Sequence, residues 1–564
     1  MRRVWLSLSV PSMQLVSRLV PLAVLLFLVC ACLLFVSSAS PSPGLVVNTL
    51  SGDLQGASDG STDEWLDVPY AAPPVGLLRW RPPAPVLPWS GVRDATVPGE
   101  ACIQLTFDAN GNPNGTGGSE DCLNLNVFVP AGTAANAHLP VMVHLHPGSN
   151  VYGNAYLDGS AFTSRGVIVV TVNYRLGVFG FMGHPLLTIE GGGQSGEYGA
   201  LDQLAALQWV QNNIAAFGGD PANVTLFGSS AGSFDTAALV ASPLSQGLIA
   251  HAAVQGASFW SVTGPDPNTL ANAEGFGTSL AASVGCSAAA DVLGCLRALP
   301  ADTLVSAAGP NIGFDSPPVG TSVLPEEPLQ LLTEHPSVPL LVGFDREEDA
   351  AFYYGQDAPG FPTPYGQGIW HRDTDQLVGP SRGQQARSLY PANSYDSLLW
   401  SYITMRTDAV RGCPTRLLAN TVAATEPVYR YLYTHTLEND PVLVQFRASH
   451  VLEDQLIWGS DILGIGHQLT PAEQQLSSEL TDYWTNFAKT GNPNGAGLPT
   501  WPQYNTSTEP TLTLDDQTSV INNYHDQQCA FIDTVPEPFP LPWEGLGQAF
   551  KLPPGFLYGH SHAP

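Results

Sequence analysis

Ser230 stands at the centre of Gly228-Ser229-Ser230-Ala231-Gly232. The short apolar stretch Val224–Phe227 precedes it, and Phe234 to Val240 follows with the small, apolar character of a helix. A Gly-x-Ser-x-Gly run between a strand and a helix puts its serine on a sharp turn. The hydroxyl is exposed at the carboxyl end of the sheet, and the next backbone N–H, that of Ala231, faces the same space. Glycine is needed where strand and helix nearly touch, because no side chain fits there. One turn therefore offers a nucleophile and one donor for an oxyanion.

A serine hydroxyl attacks only when a base takes its proton and an acid holds that base in the right tautomer. The candidate base is His450, in the loop-like Ala448-Ser449-His450-Val451-Leu452-Glu453. The candidate acids crowd one turn, Asp345-Arg346-Glu347-Glu348-Asp349, just after the apolar run Val338–Phe344. Chemistry alone does not choose Glu348 over Asp345, Glu347 or Asp349. Taken singly, each feature has an ordinary reading: a flexible loop, one of 13 histidines in core or surface, a solvated acidic turn. His144 and His146 alternate on one strand face like a metal pair, but no third ligand accompanies them. Phe352-Tyr353-Tyr354 fits a substrate gorge or the core equally well.

These residues need a scaffold, and the hydrophobic pattern supplies one. Glu120–Pro130 alternates in its second half like a half-buried strand, and Leu139–His146 is another that runs into Pro147-Gly148-Ser149. Val167–Asn173 is nearly continuous in β-branched residues, the pattern of a strand covered on both faces. Ala200–Phe217 has helical periodicity and stops at Gly218-Gly219-Asp220-Pro221. Further strands are expected at Ala252–Gln255, Val338–Phe344 and Val428–Tyr433, a long helix at Pro471–Thr490, and a helix- and loop-like middle from Thr263 to Pro336. Strands alternating with helices predict an α/β fold: a large, mostly parallel sheet with helices on both faces. No repeat or linker divides the chain, so residues 40–564 are expected to form one domain.

The formal net charge of −29 excludes nucleic acid and anionic membranes as partners. Arg2, Arg3 and Arg18 precede an apolar run from Leu19 to Val36, and Ser37-Ser38-Ala39-Ser40 supplies small residues for cleavage. Residues 1–39 therefore read as a secretory signal peptide, with an uncleaved anchor at 19–36 as the rival. Outside that leader, six cysteines allow 15 pairings. Short loops suggest Cys102–Cys122 and Cys286–Cys295, which leaves Cys413–Cys529. Asn114, Asn223 and Asn505 open Asn-x-Ser/Thr acceptors for glycosylation of an exported chain.

Several further segments complete a pattern. Glu120–Val127, Asn173-Tyr174-Arg175-Leu176-Gly177, Tyr198–Gln203, Phe217–Pro221 and Thr490–Asn494 join the elbow in a chain that resembles the type-B carboxylesterases. That family includes the cholinesterases and the large fungal lipases, and the resemblance spans nearly the whole mature chain. It implies an α/β-hydrolase fold, a secreted fungal member, small-molecule ester substrates and no cofactor or metal. It makes Ser230 the nucleophile, Glu348 the acid and His450 the base. It also implies oxyanion donors at Gly148, Ser149 and Ala231, and the first two disulfides at Cys102–Cys122 and Cys286–Cys295. The oligomeric state is not implied.

Three departures bear on function. The family's His-Gly-Gly-Gly loop reads His146-Pro147-Gly148-Ser149 here. Ser229 replaces the family's glutamate before the nucleophile, and Gly256 replaces the serine of Gln-Ser-Gly, so two polar groups are expected to be missing together. A less anionic pocket, unsuited to choline esters, follows from that pair. The Cys102–Cys122 loop carries Asp108, Asn110, Asn112, Asn114 and Glu120 rather than the apolar face of an interfacial lid. The expectation is a serine esterase for short-to-medium uncharged acyl esters. The alternatives are a triglyceride lipase and a catalytically silent binding module, the latter favoured only by Pro147 and Ser149.

Overall fold

Ile168–Val172 is buried along its whole length, which a β-branched strand tolerates only at the centre of a sheet covered on both faces. The computed structural model describes residues 45–108, 112–256, 268–309, 316–353, 365–462, 464 and 466–535. The leader 1–39 with its apolar run 19–36, Asn110 and Tyr354 lie outside the described residues.

In chain order the large sheet comprises β1 (Ala57–Ser58), β2 (Thr62–Pro69), β3 (Asn124–Pro130), β4 (Leu139–Leu145), β5 (Ile168–Val172) and β6 (Gly219–Ser229). It continues with β7 (His251–Gln255), β8 (Leu340–Asp345), β9 (Val428–Tyr433), β10 (Thr511–Leu514) and β11 (Ser519–Ile521). Its spatial order is β11-β10-β9-β8-β7-β6-β4-β5-β3-β2-β1. From β10 to β5 every pairing is parallel. The flanking pairs β10–β11, β5–β3, β3–β2 and β2–β1 are antiparallel. The fold class is thus the one the alternation predicts. The expectation does not include β2, whose Asp63, Glu64 and Asp67 break up its apolar pattern, or β10, which is too short for its period to stand out.

Helix α1 (Tyr198–Asn213) passes into a tighter turn, Ile214–Phe217, and ends at Gly218 with φ 87°. Helix α2 (Ala231–Ala241) begins directly at the elbow. Helix α3 (Leu452–Ile457) follows the histidine loop. Helix α4 (Pro471–Thr490) has Thr470 and Glu473 in a reciprocal capping box, Pro at its start and Gly491 at φ 71° at its end. Tyr429, Tyr431 and Tyr433 alternate onto one face of β9. They are buried with Met142, Phe227, Leu341, Trp458, Leu480, Trp484 and Phe487 in one apolar cluster. This core locks α3 and α4 against the sheet.

The elbow follows β6, the acidic turn β8, the histidine loop β9, and Pro147-Gly148-Ser149 β4. All four leave the carboxyl ends of parallel strands, the edge of an open sheet where ligands bind.

Disulfides join Cys102 to Cys122, Cys286 to Cys295 and Cys413 to Cys529. The last spans 116 residues and ties Cys413–Val422 to the helix Asp526–Ile532. In the chain-entropy account a loop of that length contributes about 5 kcal/mol. Replacing both Cys413 and Cys529 by serine should lower the unfolding free energy by that order in equilibrium denaturation. The same replacement at Cys286 and Cys295 should cost less.

Candidate active site

The elbow is set by backbone contact. A β-carbon on Gly232 would lie 2.0 Å from the Leu145 carbonyl oxygen, and one on Gly228 would lie 2.6 Å from the Gly232 oxygen. Only glycine permits this approach. The turn leaves Ser230 at φ 53°, ψ −123°, a conformation that L-residues rarely adopt. Strain of this kind persists where the surroundings over-determine it. Here the Ser230 N–H donates to Gln255 O, and Ser230 O accepts from Ser233 and Phe234.

His450 is delivered by a loop fastened to the acidic turn. The His450 N–H donates to Glu348 O, Glu347 N–H to Ala448 O, and Ala351 N–H to Ser449 Oγ. The result is a chain of three side chains. His450 Nε2 lies 2.8 Å from Ser230 Oγ, and His450 Nδ1 lies 2.5 Å from Glu348 Oε2. Glu348 Oε1 accepts from the Asp345 N–H at 2.8 Å. Glu348 is fully buried, while Ser230 is partly exposed. The other acids of the turn go elsewhere: Glu347 pairs with Arg346, and Asp349 pairs with buried Arg406 at 2.5 Å. Asp345 turns toward the interior. Geometry therefore selects one carboxyl of four.

The loop after β4 lies beside the elbow. Gly148 has φ 122°, and a β-carbon there would sit 2.1 Å from Tyr152 O. Ser149 and Asn150 follow at φ 52° and 54°. His146 stacks on Tyr174 at 4.4 Å, and its Nδ1–H donates to Pro147 O at 2.8 Å. Burial lowers the His146 pKa to about 4, so the ring is neutral. Neutral His144 is packed between Phe227 and Trp458, its pKa lowered by burial to about 3. The two histidines thus stand in separate aromatic settings and do not form a metal pair. Elsewhere, His435, Asp515 and Asp516 bring one possible ligand atom each within 4.8 Å, but His435 already pairs with both acids and with Glu473.

This architecture has close counterparts. The model of the Carboxylesterase family matches residues 43–532. The para-nitrobenzyl esterase of Bacillus subtilis (strain 168) is 34% identical over 506 residues, which is 85% of this chain and 96% of that protein. The cocaine esterase of Homo sapiens is 33% identical over 527 residues, 86% of this chain and 89% of that protein. A solved PNB esterase structure is similar with a TM-score of 0.72 at 32% identity, covering 86% of this chain and 99% of that one. The chain belongs to the carboxylesterase family. It is a carboxylic ester hydrolase on an α/β-hydrolase fold.

Against that family background the departures have structural answers. Ser229 is fully buried, and its hydroxyl donates to Asp454, which also accepts from the Gln255 amide at 2.9 Å. Gln255 in turn accepts from Trp484 Nε1. The polar link at position 229 is therefore not missing, contrary to the sequence expectation: its carboxyl comes from α3. Asp345, Glu348, Glu453 and Asp454 are all buried together. Burial pushes Asp345 and Glu453 well above the usual carboxylate range and Asp454 up to about 7. Burial thus favours the neutral form of Asp345, Glu453 and Asp454. Gly256, at φ 79°, packs closely against the pair: a β-carbon there would lie 3.3 Å from Glu348 Oε1.

The Cys102–Cys122 loop forms a hairpin of Gln104–Phe107 and Pro113–Gly117. Gln104 exchanges two hydrogen bonds with Gly153, at the end of the loop that follows β4. Phe352 lies 5.6 Å from the His450 ring, whereas Tyr353 is buried against Tyr402. Sequence reasoning missed Asp454 and Asp235. An acid at the start of a helix and one inside a helix carry no signal of their own.

Asp454 yields a pH prediction. Its carboxyl keeps its proton to about pH 7 when folded but has the ordinary value of 3.8 when exposed. The folded state then binds the extra proton, so this group's contribution is present below about pH 4 and is lost as pH rises through 7. Asp454→Asn removes the titration. Its unfolding free energy should fall less than wild type between pH 5 and 8, by up to about 3 kcal/mol, in denaturant titrations across that range.

Proposed function

We propose that this protein is a secreted serine esterase cleaving uncharged short-to-medium acyl esters through an acyl-enzyme. The observation that carries the reading is the continuous Ser230–His450–Glu348 chain, 2.8 Å and 2.5 Å in its two links. Ser230 Oγ attacks the ester carbonyl while His450 Nε2 takes its proton. Glu348 holds the Nδ1–H and stabilises the imidazolium that forms. The carbonyl oxygen becomes an alkoxide facing the N–H groups of Gly148, Ser149 and Ala231. Collapse expels the alcohol, which takes the proton from His450. Water then attacks the acyl-Ser230 with His450 again as base, releasing the acid and restoring the hydroxyl.

Substrate choice follows from the surroundings. The hairpin over the Cys102–Cys122 loop is polar, and Pro113, Asn114 and Gly115 are exposed. An interfacial lid needs an apolar face. Burial pushes Asp345 and Glu453 beside the pair toward their neutral forms, which weakens their pull on a cationic substrate. Export is supported by the leader and by three disulfides, which persist in oxidising compartments. No helix among the described residues is long and apolar enough to cross a membrane. Asn114 and Asn505 are exposed, whereas Asn223 is partly buried with its Oδ1 enclosed.

A fluorophosphonate should label the wild-type chain and leave Ser230→Ala unlabelled. Turnover should fall about 10⁶-fold in Ser230→Ala and about 10⁴-fold in Glu348→Gln. Across nitrophenyl esters the optimum should lie at short-to-medium acyl chains; a rate jump above a triglyceride's solubility limit would assign a lipase instead. Endoglycosidase treatment should shorten the secreted chain by two glycans, lost singly in Asn114→Gln and Asn505→Gln and unaffected by Asn223→Gln.

A further inference from the structure

Two consecutive residues of the oxyanion loop, Ser149 and Asn150, sit at positive φ without being glycine. Such a conformation lasts only where neighbours enforce it. Asn150 is fully buried. Its main-chain oxygen accepts from the Gly177 N–H at 2.6 Å, and its side-chain amide donates to Asp235 Oδ1 at 3.1 Å. Asp235 is fully buried as well and lies on α2, the helix that starts at the nucleophile, five residues beyond Ser230. Its second oxygen accepts from the Gln203 amide of α1 at 2.5 Å. A single carboxyl thus spans the loop, the nucleophile helix and the helix behind them. It does so through two neutral amides.

We propose that Asp235 is a positioning residue for ester hydrolysis: through the Asn150 amide it fixes the N–H groups of Gly148 and Ser149 relative to Ser230. The proposal rests on the reading of Ser230 as nucleophile and of this loop as the oxyanion hole. An ionised carboxylate suits the arrangement, since it accepts from both amides. A protonated one must donate somewhere. The acceptors at hand, Asn150 Oδ1 and Gln203 Oε1, are buried and have no partner. Protonation therefore turns an amide over and changes the tie to the loop. Burial raises the Asp235 pKa to about 7, so the change falls near neutral pH. The titratable groups facing it are Tyr174, whose ionisation burial and Asp235 both suppress, and behind Tyr174 the neutral ring of His146. Neither changes charge between pH 5 and 9.

The test compares wild type with Asp235→Asn, Asn150→Gly and the exchanged pair Asp235→Asn/Asn150→Asp, on nitrophenyl butyrate from pH 5 to 9. Glycine at 150 keeps the backbone conformation and removes only the tie. Each single change should lower kcat tenfold or more at pH 8 with KM within twofold, and the exchanged pair should recover most of the loss. Hydrogen exchange of the 146–153 amides should quicken in both single variants. Unchanged kcat in both, a loss confined to KM, or no recovery in the exchanged pair would overturn the proposal. If the wild type turns over no ester, the hydrolase reading fails. The exchange measurement then decides the tie alone, with unchanged exchange in Asp235→Asn counting against it.

Discussion

The contact between Gly232 and the Leu145 carbonyl is the constraint on which the site depends. A β-carbon at Gly232 would stand 2.0 Å from that oxygen, so helix α2 is pressed onto the end of β4 by backbone alone. The residue after Leu145 begins the loop proposed to hold the oxyanion, and the residue two before Gly232 is the proposed nucleophile. Their separation is therefore set before any side chain acts. The unusual backbone of Ser230 follows from the same approach. The chain has to leave β6 and enter α2 without drawing the helix off the strand. Backbone donors placed in this way need no reorganisation when charge develops on a substrate oxygen, which is what makes such stabilisation large.

Around that frame the protein buries more acid than a single histidine can use. A buried carboxylate is costly unless it is paired or gives up its charge. The four acids of the turn after β8 show three solutions. Asp349 meets the Arg406 guanidinium, Glu347 meets Arg346, and Asp345 is pushed by burial toward its neutral form. Glu348 alone is left to accept from a backbone N–H and from His450. Asp454 takes a fourth route, satisfied by Ser229 and Gln255 behind the nucleophile. The identity of the histidine's partner is thus a matter of which acid has no other claim on it.

This explains what the sequence disclosed and what it withheld. The elbow, the strands carrying the loops and the helix Pro471–Thr490 were legible because local period, capping and glycine spacing define them. The choice among Asp345, Glu347, Glu348 and Asp349 was not legible from chemistry, since it turns on partners such as Arg406 that lie far away in the chain. Resemblance supplied that choice. The loss of a glutamate at Ser229 read as a missing polar group because the compensating Asp454 comes from another loop. Helix α2 starts at Ala231, three residues before the expected Phe234, because Ala231-Gly232-Ser233 has no apolar period. Close packing makes small residues necessary there and hides the helix.

The oxyanion loop is the place where this chain departs furthest from a glycine-rich design, and the departure has a consistent physical logic. Glycine reaches positive φ freely but loses much entropy on folding. Serine and asparagine at 149 and 150 lose less but must be held in a conformation they disfavour. The holding groups are all present. His146 grips Pro147 O, the Gly177 N–H grips Asn150 O, Asp235 grips the Asn150 amide, and Gln104 grips both ends of the Gly153 peptide unit's polar pattern. Pro147 adds a fixed φ at a position where no donor is needed. A loop with serine and asparagine at 149 and 150, tied at five polar points, is held rigid by contacts that leave the Gly148 and Ser149 N–H groups unused, which suits the oxyanion role proposed for it.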